Sequence, residues 1–344
     1  ERFEMIVPGI SDQIPGSLAF THLPELKVAA IMNARGERRK GYWIFEDIVE
    51  MLTKISEPEL KSAAENVKST DPVMIQYTSG TTGFPKGAML SHKGILNNTR
   101  IWYIILGLSD ETVHVNPMPF FHTGGCVLGI LGPVSAGATL VPLIEFDPKK
   151  VLEAIHKERV TFGGSVPTMI LAYLGHPDLN KYDLSCLKLF ISGGTNVPIE
   201  MSKRVKREMG AEIRVVYGLT EASPVITQTL PDDPPEYQFQ TIGRPIPHVE
   251  VKLIDPGSGE TVAIEEVGEI CSHGFGTMLG YYKMPDKTRE TIDDEGWLHT
   301  GDLGIMNSEG YINIVGRTKD MIIRGGENIY PREIEELLMG HPKI

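Results

Sequence analysis

The chain has 344 residues, 41% of them hydrophobic and 23% charged, the balance of an ordinary soluble globular protein, and that length calls for two or three structural units. Against 45 acidic side chains stand 33 basic ones, a net charge of −12, which excludes bulk attraction to nucleic acid or anionic lipid; an anionic ligand has to be gripped by local donors. Cys126, Cys186 and Cys271 are far apart with no C-x-x-C pair, which points to a reducing compartment, cytoplasm or mitochondrial matrix, and away from a disulfide or zinc framework.

The start, ERFEMIVPGI, lacks the basic region and long apolar run of a signal peptide, and it opens on Glu1. Residues 1–70 give a mixed signal: KVAAIM (27–32) resembles a strand and YWIFEDIVEML (42–52) a helix. From Met74 onward strand and helix patterns alternate. The stretch from Thr112 to Ile144 carries no charge if His is neutral, but Pro117, Pro119, Pro133 and five glycines interrupt it. A membrane span wants about 20 near-continuous apolar residues, so this stretch reads as buried core. Asp147 caps and Pro148 opens a helix with Val151, Leu152 and Ile155 on one face. VTFGGSV (160–166) reads as a strand, Pro167 opens a helix, and LKLFISGG (187–194) reads as a strand ending in glycines. A helix over 198–209 stops at Gly210, and IRVVYG (213–218) is the next strand. Strand, helix and strand in series imply a parallel sheet flanked by helices, an α/β fold. After PDDPPE (231–236) the pattern changes to VEVKLI, a DPGSGE turn, VGEICSHG, and LGIMN and YINIV around NSEG. Short strands with tight turns suggest a small β-barrel or sandwich. Pro331 opens a last helix, with Gly340 and Pro342 as stop signals. No internal repeat is evident.

YTSGTTGFPKG (77–87) follows the apolar run Val73, Met74, Ile75. A strand leading into glycines, hydroxyls and a lysine is a phosphate cradle in outline: glycine lets backbone N–H groups approach an anion, and Lys86 adds a point charge. The pattern is not G-x-x-x-x-G-K-[ST], because Gly80 is followed by Gly83 and Pro85 precedes Lys86. A flexible surface loop is the alternative for this stretch taken alone.

The loop closely resembles the phosphate-loop signature of the adenylate-forming enzymes, which include acyl-CoA synthetases, adenylation domains and luciferases. SGGTNVP (192–198), VYGLTEASP (216–224), GEICSHGFGTMLGYY (268–282), GWLHTGDLG (296–304) and GRTKDMIIRGGENIYPREIEE (316–336) look like further family motifs in order. Within the family the chain most resembles the medium-chain fatty acyl-CoA ligases; residues 1–70 add no motif.

The resemblance implies a role for each motif. Thr78, Ser79, Gly80, Thr81, Thr82, Gly83, Phe84, Pro85 and Lys86 would wrap the β and γ phosphates of ATP. Tyr217 and Gly218 would lie at the adenine, Thr220 would donate to the α-phosphate, and Glu221 would ligate Mg²⁺, which prefers oxygen. Gly193 and Gly194 would let the backbone lie against adenine; Thr195 and Asn196 depart mildly from the family pattern. Asp302 resembles the acid that accepts from both ribose hydroxyls, and Arg317 the arginine that reaches ribose or phosphate. Lys86, Thr220, Glu221 and His122 form the implied catalytic set. In PMPFFHTGG (117–125), Phe121 and His122 would wall the acyl pocket, and no Asp is present there to hold an α-amino group. Lys319 takes the hinge position, and Gly325 and Gly326 would leave room for the pantetheine arm in the coenzyme A tunnel.

The implied architecture is an end of an N-terminal α/β portion (1–70), an AMP-binding core (71–235), a small β-barrel (236–316), and a hinge with the start of a mobile C-terminal α+β lid (317–344). Family members carry further segments, and the lid lysine has no match, so a weakly adenylating fragment is expected. The implied reaction is activation of a carboxylic acid, medium-chain fatty by resemblance, with ATP to an acyl-adenylate, then thioester formation with coenzyme A. An aryl-CoA ligase, a luciferase-like enzyme, or for this fragment an idle nucleotide-binding module are the alternatives. No nucleic-acid partner and no membrane span are expected; a homo-oligomer stays open.

Overall fold

The computed structural model describes residues 2–32, 39–78, 84–194, 197–320, 322–324 and 327–329. The chain divides into two compact units, Glu1–Lys68 and Ser69–Ile344. In the first, helix α1 (Arg2–Ile6) precedes a parallel pair of short strands, β1 (Ala30–Ile31) and β2 (Trp43–Ile44), and helices α2 (Phe45–Met51) and α3 (Glu57–Glu65) follow. Val7, Ile10, Leu18, Ala29 and Tyr42 form its small core. Ser56 starts α3 through reciprocal bonds: its Oγ accepts the Glu59 N–H at 3.4 Å, and Glu59 Oε2 accepts the Ser56 N–H at 2.9 Å.

The second unit begins with an antiparallel hairpin, β3 (Pro72–Thr78) and β4 (Lys86–Ser91), followed by helix α4 (His92–Ile105), which Ser91 caps by accepting the Gly94 N–H at 3.0 Å. Next come β5 (Val113–Asn116), a π-helical stretch (Gly124–Leu131), α5 (Gly132–Ala136) and β6 (Thr139–Pro142). Helix α6 (Pro148–Glu158) starts where the sequence places it: Asp147 Oδ1 accepts the Lys149 and Lys150 N–H groups at 2.8 and 3.1 Å. Strand β7 (Phe162–Gly164), α7 (Pro167–Leu174), β8 (Leu189–Gly193), α8 (Ile199–Met209) and β9 (Glu212–Gly218) continue the alternation. Gly210 ends α8 at φ 75°, a left-handed cap that suits glycine. Strand β10 (Val225–Gln228), α9 (Pro235–Gln240) and β11 (Arg244–Pro245) complete this layer.

These strands form a seven-stranded sheet of order β11-β10-β9-β8-β7-β5-β6. The run from β9 to β6 is parallel; β10 and β11 join antiparallel. Neighbouring side chains on β8 show why both faces are covered. Phe190 packs with Val151, Ile155, Tyr173 and Val205 of α6, α7 and α8, whereas Ile191 packs with Trp102 and Tyr103 of α4. The mixed α/β class follows from this helix–sheet–helix arrangement.

The segment after α9 holds β12 (Val249–Ile254), β13 (Val267–Gly274), β14 (Gly280–Tyr281), α10 (Pro285–Thr291), β15 (Leu298–Met306) and β16 (Ile312–Arg317). The small barrel expected over 236–316 is instead an open antiparallel sheet of order β12-β13-β15-β16 among the described residues. Four strands are too few to close, since small barrels take about eight. Strand β14 leaves this sheet and pairs with β4, giving a second sheet of order β14-β4-β3. Leu253, Ile270, Leu298 and Ile312 of the open sheet pack with Tyr217 and Ile226 of the seven-stranded one. A last short hairpin joins β17 (Ile322–Arg324) to β18 (Glu327–Ile329); the helix expected from Pro331 lies outside the described residues. Burial of the uncharged stretch holds for Val115, Asn116 and Val127 but not for Phe121 or Ile144, which are exposed. Among the described residues no helix is long and apolar enough to cross a membrane.

Candidate active site

The phosphate-loop sequence lies at the tip of the β3–β4 hairpin, whose last rung pairs Thr78 with Lys86. Ser79, Gly80, Thr81, Thr82 and Gly83 lie outside the described residues, and Phe84 and Pro85 are exposed. At the foot of the loop Lys86 Nζ donates to the Tyr281 hydroxyl at 2.7 Å, and that hydroxyl donates to Glu221 Oε1 at 2.6 Å. Thr78 Oγ1 lies 3.5 Å from both Glu221 Oε1 and the Lys86 carbonyl. Desolvation holds the Lys86 ammonium below its usual pKa; Glu221 opposes that shift, and Lys319 and Lys287 add to it. Burial, then the bond to Glu221, holds the Tyr281 phenol above its usual value. Three expected residues, Thr78, Lys86 and Glu221, therefore meet, and they meet around a fourth that the motif reading did not single out. Tyr281 stands inside GEICSHGFGTMLGYY, but its contact depends on β14 crossing to β4, which no local pattern signals.

A second cluster forms where β9, β15 and β16 come together. Tyr217 donates its hydroxyl to Asp302 Oδ2 at 2.8 Å, and Arg317 Nε donates to Asp302 Oδ1 at 3.2 Å. Asp302 and Arg317 are register partners, so both side chains leave the same face of the β15–β16 ladder. The Asp302 side chain is 14% exposed and that of Arg317 68%. Burial raises the Asp302 pKa against the opposing pull of Tyr217 and Arg317. Its irregular stretch of β15 is tied to β13 and to itself. Glu269 Oε1 accepts the Gly301 N–H at 2.9 Å, Glu269 Oε2 accepts from His299 Nδ1 at 3.1 Å, and Thr300 Oγ1 accepts the Asp302 N–H at 3.1 Å. Cys271 sits beside His299, and burial with Glu269 nearby pushes its thiol up to about 12, which keeps it neutral.

The ends of β8 and β9 carry glycines. Gly193 has a reason internal to the protein: a Cβ there would meet the Val216 carbonyl oxygen of the next strand at 2.1 Å. Gly218 is equally confined, 1.9 Å from the Pro224 carbonyl oxygen by the same measure, while Gly194 takes φ +79° with open space around it. Thr220 and Glu221 lie in a single 3-10 turn (Thr220–Ala222) and are both buried.

On the expected acyl side, His122 Nδ1 accepts the Gly124 N–H at 3.0 Å, which leaves the ring proton on Nε2, and desolvation lowers its pKa. Phe121 is 83% exposed, and its carbonyl accepts from buried Gln76 Nε2 at 2.7 Å. Lys319 follows Arg317 by two residues and acts electrostatically on Lys86. Gly325 and Gly326 lie outside the described residues.

The arrangement offers a cation and a carboxylate joined by a phenol in one cluster, a buried carboxylate with an arginine in the other, and close-packed glycine backbone at the ends of β8 and β9. The family described as AMP-binding enzyme matches residues 19–282. YngI of Bacillus subtilis (strain 168), provisionally named an acyl-CoA synthetase, is 44% identical over 98% of this chain and 62% of its own length. The mitochondrial medium-chain acyl-CoA ligase ACSF2 of Homo sapiens is 37% identical over 99% of this chain and 56% of its own. ATP-bound MatB from Rhodopseudomonas palustris superposes with a TM-score of 0.76 at 27% identity, covering 96% of this chain and 68% of that one. The chain thus spans under two thirds of the length of YngI and of ACSF2. With residues 19–282 matched, the chain belongs to the AMP-binding enzyme family.

Proposed function

We propose that the chain binds ATP and a carboxylic acid and supports formation of an acyl-adenylate, which coenzyme A then converts to a thioester. The observation that carries this reading is the pair of clusters Lys86–Tyr281–Glu221 and Tyr217–Asp302–Arg317, joined by the chain that runs from Tyr217 off the end of β9 to Glu221. Ligands of open α/β sheets sit outside the carboxyl ends of the strands.

In this reading Asp302 accepts from the ribose hydroxyls, because a carboxylate is the natural acceptor for a diol. Lys86 and the loop it closes hold the outer phosphates, and Thr220 donates to the α-phosphate. The donors near Glu221 are all oxygen, from its carboxylate and from Thr78, a set that fits Mg²⁺, which binds proteins through one or two carboxylates and keeps several waters. Bound there, the ion would neutralise the phosphates. Both reactants are anions, so positioning and charge neutralisation supply most of the catalysis. The acid's carboxylate attacks the α-phosphorus and pyrophosphate leaves; the thiol of coenzyme A then attacks the carbonyl carbon and AMP leaves. His122, with its proton on Nε2, faces the acid, and Lys319 is the hinge between the two half-reactions.

A medium-chain aliphatic acid is supported by the uncharged stretch 112–144, by the lack of an Asp in 117–125, and by the likeness to ACSF2. Residues 71–235 serve as the nucleotide-binding core, 236–316 as its antiparallel partner, and 317–344 as hinge and lid. Three free cysteines support a reducing compartment, cytoplasm or mitochondrial matrix. Calorimetry with AMP and with a non-hydrolysable acyl-adenylate tests the reading, alongside pyrophosphate release across aliphatic acids of increasing length. Binding of both ligands and a medium-chain maximum are expected. Absence of binding overturns the nucleotide site, and a preference for aryl acids overturns the substrate.

A further inference from the structure

Tyr281 lies on β14, opposite Ala88 of β4, and is 3% exposed. Its hydroxyl stands between two charges. An ammonium has no lone pair and a phenol has one proton, so the direction of the chain is fixed: Lys86 donates to the phenol oxygen and the phenol donates to Glu221 Oε1. Among the described residues Lys86 and Glu221 form no direct ion pair, and both hydrogen bonds to the Glu221 carboxylate, from Tyr281 and Thr78, fall on Oε1.

We propose that Tyr281 is a positioning residue for the magnesium–nucleotide complex: its hydroxyl pins Oε1 of Glu221, leaves Oε2 as the oxygen for the cation, and keeps Lys86 from collapsing onto the carboxylate. The proposal rests on the adenylate-forming reading of the site. A direct Lys86–Glu221 pair would neutralise both groups before the nucleotide arrived, and that pair would have to be broken for binding. The tyrosine gives each charge a partial partner that can be exchanged for phosphate and metal. Tyr281→Phe tests the oxygen alone, since Lys86 Nζ lies 4.1 Å from the ring centroid and the ring contact survives the change.

The experiment is calorimetry of this chain with AMP in the absence of magnesium and with ATP at fixed and at varied magnesium. Wild type, Tyr281→Phe and the neighbouring control Tyr282→Phe are compared, with thermal melting as a check on folding. Tyr281→Phe is expected to weaken MgATP about tenfold, the scale of a hydrogen bond to a charged group, and to raise the magnesium needed for half-saturation. AMP affinity should change less than about twofold, and Tyr282→Phe should change neither, as expected for contacts that touch no phosphate or metal. Equal weakening of AMP and MgATP, or no weakening of either, overturns the role of Tyr281 while leaving the nucleotide site intact. Wild-type chain that binds neither nucleotide overturns that site and this proposal with it.

Discussion

The two ends of the candidate site are built in different ways. At Asp302 most of the support comes from its own sheet: Arg317 is its register neighbour on β16, and Glu269 holds the Gly301 backbone from β13, while Tyr217 reaches it from β9 of the seven-stranded sheet. At Glu221 the direct partners are Thr78 of β3 and Tyr281 of β14, with Lys86 of β4 behind the tyrosine, and the bond from Lys86 to Tyr281 spans 195 positions in sequence. The first end is set by strand pairing with one tertiary contact, from Tyr217, and carries a buried carboxylate. The second is set by tertiary convergence and is a chain of exchangeable hydrogen bonds. A ligand part held by the first end should depend on rigid geometry, and a part held by the second on charge and metal.

The largest effect is expected from Asp302→Ala. It removes the acceptor for the ribose diol and leaves the Tyr217 hydroxyl, buried with its residue, without its carboxylate. Loss of hydrogen bonds to a charged group together with an orphaned buried donor corresponds to about 100-fold weaker AMP binding, read by calorimetry. A change below about threefold would remove the ribose role, since even one such bond is worth more than that. Glu221→Gln should separate the two ends. It keeps the side chain's size but removes the charge that an oxygen-seeking cation needs, so MgATP should weaken about tenfold and AMP without magnesium hardly at all. Equal loss for both nucleotides would mean that the two clusters do not act on different parts of the ligand.

The contrast also explains what could be read from the sequence. The start of α6 was legible because Asp147 and Pro148 act within one turn, and the end of α8 because Gly210 needs only its own φ of 75°. The alternation of strands and helices gave the parallel layer, since covering both faces of β8 requires apolar residues at both Phe190 and Ile191. Ordered motifs pointed to Lys86, Tyr217, Glu221, Asp302 and Arg317, and these fall into the two clusters. Tyr281 was not legible as a partner because its place follows from β14 leaving the open sheet, an event decided by packing. The same event removes a strand from the expected barrel. The exposure of Phe121 was not legible either: the family resemblance places it at the acyl pocket, and no sequence pattern says which way its ring points. Gly193 was read as making room for adenine, although the neighbouring strand already demands a glycine there.

A smaller effect is expected one layer below the ribose end. Glu269→Gln keeps an oxygen for the Gly301 N–H but weakens the bond and turns an amide toward His299. The bulged stretch of β15 that carries Asp302 should loosen, and AMP affinity should fall about threefold, the lower range for a charge-assisted bond made neutral. If the ribose end owes its geometry to the β15–β16 ladder alone, Glu269→Gln will leave AMP binding unchanged, and the bulge then needs no side-chain support from β13.

The smallest effect concerns pH, and it sets stability against binding at Asp302. Burial raises this carboxyl's pKa in the folded chain, with Tyr217 and Arg317 recovering part of the shift. Between the ordinary carboxylate pKa and the raised one, the folded state binds more protons than the unfolded state. Stability therefore falls as pH rises through that window, and the cost persists at neutral pH. Asp302→Asn keeps an acceptor for Tyr217 and has no proton to lose. Relative to wild type, the variant should gain a little in denaturation midpoint at neutral pH, and the gain should vanish once pH falls below the ordinary carboxylate range. AMP binding should run the other way. A protonated Asp302 accepts fewer hydrogen bonds from a diol, so wild-type affinity should drop as pH falls through the raised pKa, whereas the variant should lack that component of the slope. Urea midpoints and AMP affinities across the same pH series check both signs. Parallel slopes would mean that Asp302 is an ordinary structural carboxylate, stabilised rather than strained by its place beside Arg317, and the contrast between the two ends of the site would lose its physical basis.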